Sequence, residues 1–226
     1  MNQPQDHVII YAHDFGVRKT DRGLFPAIAQ TAPDAESVMF DFYPVHEVSK
    51  TLTAKPLDEQ ALKLRKVINT ARAEYPGAVL DLVCHGQGCV VGALVKTRGL
   101  RKVVLLAPPA VLSSDALITQ LGDRLESPVD TAVRTRISDT NGSTTVIQPD
   151  FWQSLENLEP VRLYSRLARV TTLRIINARS DEMYGSQDLS GIEPGISMIT
   201  LDGNHNFDSP ADRDRLLYIM KKELAV

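Results

Sequence analysis

Residues 78–89 read Ala-Val-Leu-Asp-Leu-Val-Cys-His-Gly-Gln-Gly-Cys, and this stretch indicates the fold more clearly than any other. The apolar run 78–83 is typical of a strand buried on both faces, and residues 88–95 predict a helix. Between them lies a short turn with Gly86 at its apex. Glycine adopts backbone angles that other residues avoid, so the segment predicts a strand, a sharp turn and a helix.

Short apolar runs alternate with longer amphipathic ones on both sides of this segment. The pattern predicts an α/β protein with a mostly parallel sheet of about six strands flanked by helices. In 58–74, the apolar residues Ala61, Leu64, Ile68 and Ala71 fall on one helical face. The predicted strands are 7–11, 37–41, 78–83, 102–106, 172–177 and 197–201, and the predicted helices are 24–30, 58–74, 88–95 and 211–224.

The stretch 108–169 breaks this alternation and is too long for a plain crossover. We expect it to form a small, partly helical lid inserted into a single domain that spans 1–226. Phe151, Trp152 and Tyr164 fall in the insertion, where they could line an apolar substrate pocket or form the core of the lid itself. His46 is expected in a loop.

The composition is that of an ordinary globular protein, with 226 residues, 43% hydrophobic residues and a net charge of −3. It gives no electrostatic reason to expect a nucleic-acid or membrane partner. A basic, apolar leader is missing from the first residues, and no run approaches the roughly 18 apolar residues of a membrane span, so we expect a cytoplasmic protein. Cys84 and Cys89 form neither a disulfide framework nor a metal cluster, and we expect no metal and no cofactor.

Residues 84–88, Cys-His-Gly-Gln-Gly, resemble the nucleophile elbow G-x-S-x-G of the α/β-hydrolase superfamily in its serine-hydrolase, esterase-like form. Gly86 stands where that family has the nucleophilic serine. The resemblance covers nearly the whole chain and implies hydrolysis of a small acyl substrate, an ester, thioester or amide. It also implies that the backbone N–H of Gln87 is one oxyanion-hole donor.

A second landmark, His-Asp-Phe-Gly at 13–16, follows the first predicted strand, where the family typically has His-Gly. The resemblance implies Phe15 as the other backbone donor of the oxyanion hole. Asp14 departs from the usual glycine. A carboxylate at that position would oppose the developing negative charge unless it points away from the site.

The remaining two landmarks follow the last two predicted strands. Asp181 is the candidate acid, with Glu182 as its substitute if the register differs by one, and His205 is the candidate base. The chain order of nucleophile, acid and histidine is that of the α/β-hydrolases. His85 adjoins the apex, but we expect it to pack into the fold.

Glycine offers no hydroxyl, so we expect the chain to be inactive or impaired as a serine hydrolase. Three explanations stay open: a hydrolase with its nucleophile removed, a pseudoenzyme that acts as a binding or regulatory module, or an enzyme with another nucleophile. Water activated by His205 is one such nucleophile, and Cys84 or Cys89 is a weaker one. If the elbow follows the family, Gly86→Ser should be tolerated, because Cys84 and Gly88 are small. The sequence leaves the oligomeric state open.

Overall fold

The structure, a computed structural model, describes residues 6–95, 98–122, 125, 128–138, 143–185, 188–189, 191–192 and 196–226. Its strands are β1 (His7–Ala12), β2 (Glu36–Met39), β3 (Val45–His46), β4 (Thr51–Ala54), β5 (Val79–His85), β6 (Lys102–Leu106), β7 (Thr135–Ser138), β8 (Thr144–Ile147), β9 (Thr172–Ala178) and β10 (Ser197–Leu201). Its helices are α1 (Leu24–Ala29), α2 (Leu57–Glu74), α3 (Gln87–Leu94), α4 (Ser114–Leu121), α5 (Pro149–Ser154), α6 (Pro160–Ala168) and α7 (Pro210–Glu223).

Within the described residues, six strands form the main sheet in the order β10-β9-β6-β5-β1-β2, and every neighbouring pair is parallel. The predicted fold class is therefore confirmed. Because the strands are parallel, their carboxyl ends lie along one edge of the sheet. The loops that follow β1, β5, β9 and β10 carry the four landmarks, so this edge holds the candidate site.

Helices cover both faces of this sheet, which explains why its central strands are apolar almost throughout. On one face α2, α3 and α6 pack against it, and on the other face α1 and α7 do. The four apolar residues predicted to share a face of α2 are all buried. Among the described helices, none has both the length and the apolar composition needed to cross a bilayer.

A second sheet of four short strands, β3-β4-β8-β7, lies in the part of the chain that the structure describes. The predicted loop around His46 is wrong, because His46 ends β3 and pairs with Thr51 of β4. Short strands gave too little periodicity to detect, and β4 pairs in parallel with the distant β8. The predicted lid region 108–169 contributes α4, β7, β8, α5 and α6, while its residues 123–124, 126–127 and 139–142 lie outside the described residues.

Candidate active site

The turn between β5 and α3 has the sharp geometry predicted for it. Gly86 has φ 51° and ψ −124°, a sparsely populated backbone conformation that side chains disfavour. Its N–H donates to the carbonyl of Leu106 at 3.0 Å, and its own carbonyl accepts from the N–H of Cys89 at 3.0 Å. The apex is thereby fixed at the carboxyl end of β5, with the first N–H of α3 beside it.

The loops after β9 and β10 bring Asp181 and His205 together. Asp181 Oδ2 lies 3.0 Å from His205 Nδ1, and both side chains are almost fully buried. The other oxygen, Oδ1, accepts from the backbone N–H groups of Met183 at 2.9 Å and Tyr184 at 2.8 Å. Glu182 instead accepts from the backbone N–H of His205 at 2.8 Å. The residue against the imidazole is therefore Asp181, and Glu182 holds the loop.

Asp14 reaches the same point from the loop after β1. Its Oδ2 lies 3.1 Å from His205 Nε2, and its Oδ1 accepts from the backbone N–H of Gln87 at 2.7 Å. A Cβ built on Gly86 would lie only 2.0 Å from Asp14 Oδ1 and 2.3 Å from its Cγ. The carboxylate of Asp14 therefore occupies the space that a side chain at position 86 would need.

This arrangement controls the charge of His205. Burial opposes a positive imidazole, but the bonds to Asp14 and Asp181 outweigh that effect and raise the pKa of His205 to about 10. Burial likewise opposes the charge of Asp14, yet its bond to His205 and its contact with the Gln87 N–H hold the pKa of that carboxyl well below its ordinary value. The raised pKa favours a protonated His205 at neutral pH, held between Asp14 and Asp181.

Comparison with solved structures gives the fold a name. Est1E from Butyrivibrio proteoclasticus with ferulic acid bound matches with a TM-score of 0.75 and 13% identity, over 98% of this chain and 89% of that one. An esterase domain from Rhodothermus marinus matches with a TM-score of 0.64 and 16% identity, over 98% and 87% of the two chains. An alpha-beta serine hydrolase homologue from Coxiella burnetii gives 0.62 and 12%, over 99% and 88%.

This chain has the α/β-hydrolase fold. Neither a protein-family model nor a curated protein matches its sequence. At these identities the likeness to solved structures shows the fold alone.

The two departures that the resemblance implies, Asp14 in place of glycine and Gly86 in place of serine, meet at one point in space. A working oxyanion hole would require Asp14 to point away from the site, but its carboxylate points into it. The expectation that Gly86→Ser alone is tolerated is wrong while Asp14 is present, because the new Cβ would overlap the carboxylate. Because position 86 has no side chain, the carboxylate of Asp14 has space beside the apex of the turn.

The predicted oxyanion donors have different surroundings. The N–H of Gln87 already binds Asp14, and the Gln87 side chain donates to Tyr43 Oη at 3.2 Å and to Gln60 Oε1 at 3.3 Å. Phe15 follows Asp14 directly, and its ring lies 5.4 Å from that of Phe151. The donor role of the Phe15 N–H stays a prediction.

The three aromatic residues predicted to bind substrate lie in α5 and α6. Phe151, Trp152 and Tyr164 are buried in the main core, and Tyr164 Oη donates to the carbonyl of Pro109 at 3.0 Å. Their packing accounts for their burial without a ligand. A pocket-lining role for them stays a prediction.

Sequence reasoning missed Asp21, which lies in a short 3-10 turn before α1. Its Oδ2 is 2.7 Å from His85 Nδ1 and 3.3 Å from the backbone nitrogen of Asp14. His85 Nε2 in turn donates to the backbone carbonyl of His205 at 3.0 Å. His85 packs into the fold as expected, and its bond to the backbone of His205 helps to hold that residue in place. No local motif pointed to Asp21, because its partners are distant in sequence.

The cysteines and the possible metal ligands offer no second chemistry. Burial raises the pKa of both thiols, so neither Cys84 nor Cys89 is a ready nucleophile. Donor atoms of Asp14, His85 and His205 lie within 4.8 Å of one another. These atoms already bind Gln87, one another or the carbonyl of His205, so the cluster satisfies itself.

Proposed function

We propose that this protein has the site of a serine-type acyl hydrolase but does not carry out that chemistry as it stands. The observation that supports the proposal is the carboxylate of Asp14, which lies in the space of the serine side chain. It contacts both groups that a serine hydroxyl and its oxyanion would need, His205 Nε2 and the Gln87 N–H.

The absence of a serine at position 86 and the presence of the Asp14 carboxylate in its space affect each part of the serine mechanism. Gly86 supplies no Oγ, the protonated His205 cannot accept a proton, and the Gln87 donor already has an acceptor. Water activation by His205 is disfavoured for the same reason as serine activation. We therefore expect p-nitrophenyl esters to be hydrolysed at background rate and fluorophosphonate probes to leave the protein unlabelled.

The ligand class we propose is a small acyl compound, an ester, thioester or amide, with no nucleic-acid or membrane partner. The retained pair of His205 and Asp181 supports this class, as does the likeness of the fold to esterases. The lid aromatics Phe151, Trp152 and Tyr164 are the proposed contacts. Two buried, unpaired cysteines suit the cytoplasmic location that we propose.

The test is to reverse both departures together. We predict that Asp14→Gly combined with Gly86→Ser hydrolyses short-chain p-nitrophenyl esters at least about 100-fold faster than the parent chain, a modest share of what a full nucleophile and base unit contributes. Losing Asp14 also removes one carboxylate from His205, which lowers its pKa toward that of a working base. Ester turnover and fluorophosphonate labelling of residue 86 are the measurements.

The matched controls are Asp14→Gly with Gly86→Ala, which has the space but no hydroxyl, and Gly86→Ser alone, which has the hydroxyl but no space. Both should stay at background. A correctly folded Asp14→Gly, Gly86→Ser protein that neither labels nor turns over any acyl substrate in a broad panel would contradict the proposal.

A binding or regulatory pseudoenzyme is the second candidate. It is favoured by the closed state of the site, since the side chains of Asp14, Asp181 and His205 are at most 3% exposed and bind one another. In this alternative the buried cluster of Asp14, Asp181 and His205 is a structural element of the fold. Failure of the double reversal, with unchanged folding, would favour it.

A further inference from the structure

We propose that Asp21 and His85 are positioning residues, which hold the backbones of Asp14 and His205 at the separation that the contact between their side chains requires. Both act through His205 rather than on a substrate. This role rests on the proposed function, because it belongs to the same site. It goes beyond that function by assigning a purpose to a second buried carboxylate–imidazole pair, Asp21 with His85.

Four contacts around this pair form a closed ring. The backbone N–H of Asp14 donates to Asp21 Oδ2 at 3.3 Å, and His85 Nδ1 lies 2.7 Å from the same oxygen. His85 Nε2 donates to the carbonyl of His205 at 3.0 Å, and the side chains of Asp14 and His205 meet at 3.1 Å. Asp14 and His205 are therefore linked twice, directly through their side chains and indirectly through their backbones.

The ring needs a carboxylate at position 21. The carbonyl of His205 can only accept, so His85 Nε2 carries a proton. Asp21 Oδ2 accepts from the N–H of Asp14 and can also accept a proton-bearing Nδ1 of His85. An asparagine oxygen at that point would leave a doubly protonated imidazole without a counter-charge, and an amide nitrogen would face the N–H of Asp14. The uncharged amide therefore cannot satisfy both partners.

Asp21 is unfavourable for the local structure in three respects. Its φ is 45°, in the left-handed region, and Arg22 and Gly23 follow at 53° and 86°. Its side chain is fully buried, yet Oδ1 accepts no hydrogen bond from any residue that the structure describes. Backbone strain of this kind persists only where surrounding contacts hold it, and it clusters at functional sites. The contacts with Asp14 and His85 account for a carboxylate here.

The two contacts of the His205 ring depend on this pair to different degrees. Asp14 comes from the loop after β1, so its contact with Nε2 joins two separate loops. Asp181 binds Nδ1, and its neighbour Glu182 accepts from the N–H of His205, so these residues are joined without the ring. Loss of Asp21 should therefore loosen the contact at Nε2 and spare the one at Nδ1.

The experiment follows the two ring N–H protons of His205 by NMR at neutral pH, in the parent, in Asp21→Asn and in Asp21→Gly. Asparagine and glycine both tolerate a positive φ, so neither variant adds backbone strain. We expect the Nε2–H proton to exchange with solvent at least about tenfold faster in both variants, with the Nδ1–H proton unchanged. His85→Phe, which keeps a ring against His205 but lacks the bond to its carbonyl, should give the same selective loss.

The matched control is Asp81→Asn, which breaks another buried carboxylate–imidazole pair. Asp81 Oδ2 lies 2.9 Å from His7 Nε2, at the opposite end of the sheet. This variant should leave both His205 protons as they are in the parent.

Three results would overturn the proposal. The first is a folded Asp21→Asn or Asp21→Gly protein whose Nε2–H proton exchanges as slowly as in the parent. The second is an equal loss of both ring protons, which would make Asp21 a general stabilising residue. The third is a parent without a protected Nε2–H proton, since the ring of contacts would then be open. All readings are taken without a reaction, so the esterase test of the double reversal can succeed or fail separately.

Discussion

At the scale of single residues, the site is governed by one carboxylate in an unusual place. Asp14 and Asp181 hold His205 from opposite ring nitrogens, at 3.1 and 3.0 Å. A serine hydroxyl at the same point would leave the imidazole neutral and basic, whereas the second carboxylate keeps it charged. Whether His205 is a neutral base or an ion-paired imidazolium therefore depends on Asp14.

This charge predicts how stability depends on pH. Because folding raises the pKa of His205 from about 6.5 to about 10, its contribution is complete below the unfolded value and is lost as pH rises through the folded one. Asp14, whose pKa is lowered, contributes above its unfolded value. The stabilisation of the parent over Asp14→Asn should thus be greatest between about pH 4 and 6.5.

We predict that this advantage shrinks as the pH rises from neutral to about 10, with a slope of up to roughly 1.4 kcal/mol per pH unit. Urea denaturation of the parent and of Asp14→Asn across this range measures it. An advantage that stays constant through the whole window would mean that Asp14 does not hold the charge of His205.

At the scale of elements, the elbow works because α3 begins against the end of β1. A Cβ on Gly88 would lie 2.3 Å from the carbonyl oxygen of Ala12, so only glycine allows this approach. His13 fixes the facing loop, since its Nδ1 donates to the carbonyl of Asp14 and its Nε2 accepts from the N–H of Phe42. This close packing places Asp14 next to Gly86 at the apex of the turn.

We predict that Gly88→Ala lowers the free energy of unfolding by about 1–3 kcal/mol, despite the better helix propensity of alanine, because the clash is with backbone. Gly92→Ala, one turn later in α3, is the matched control. Its Cβ would meet the Cys84 side chain at 2.7 Å, and a side chain yields more easily than a carbonyl. Denaturation curves compare the two, and an equal or greater loss in Gly92→Ala would contradict the packing argument.

At the scale of the whole molecule, the sequence predicted the main sheet well, because each of its six strands is a local apolar run. The ends of β6 and β10 agree with the predicted 102–106 and 197–201. The second sheet was missed because its strands are short and because β4 pairs with β8 across a long stretch of chain. The contact between Asp14 and position 86 was missed for a related reason. Both departures from the family motifs are visible in the sequence, but only the tertiary structure shows that the two positions touch.

The central claim is that the Asp14 carboxylate and a side chain at position 86 exclude each other. A double-mutant cycle in stability tests it most directly, with Gly86→Ser measured in the parent and in Asp14→Gly by urea denaturation at neutral pH. We predict that Gly86→Ser costs at least about 2 kcal/mol more with Asp14 present than with glycine there, because the atoms nearest to the new Cβ are those of the Asp14 carboxylate. An equal cost in the two backgrounds would contradict the account.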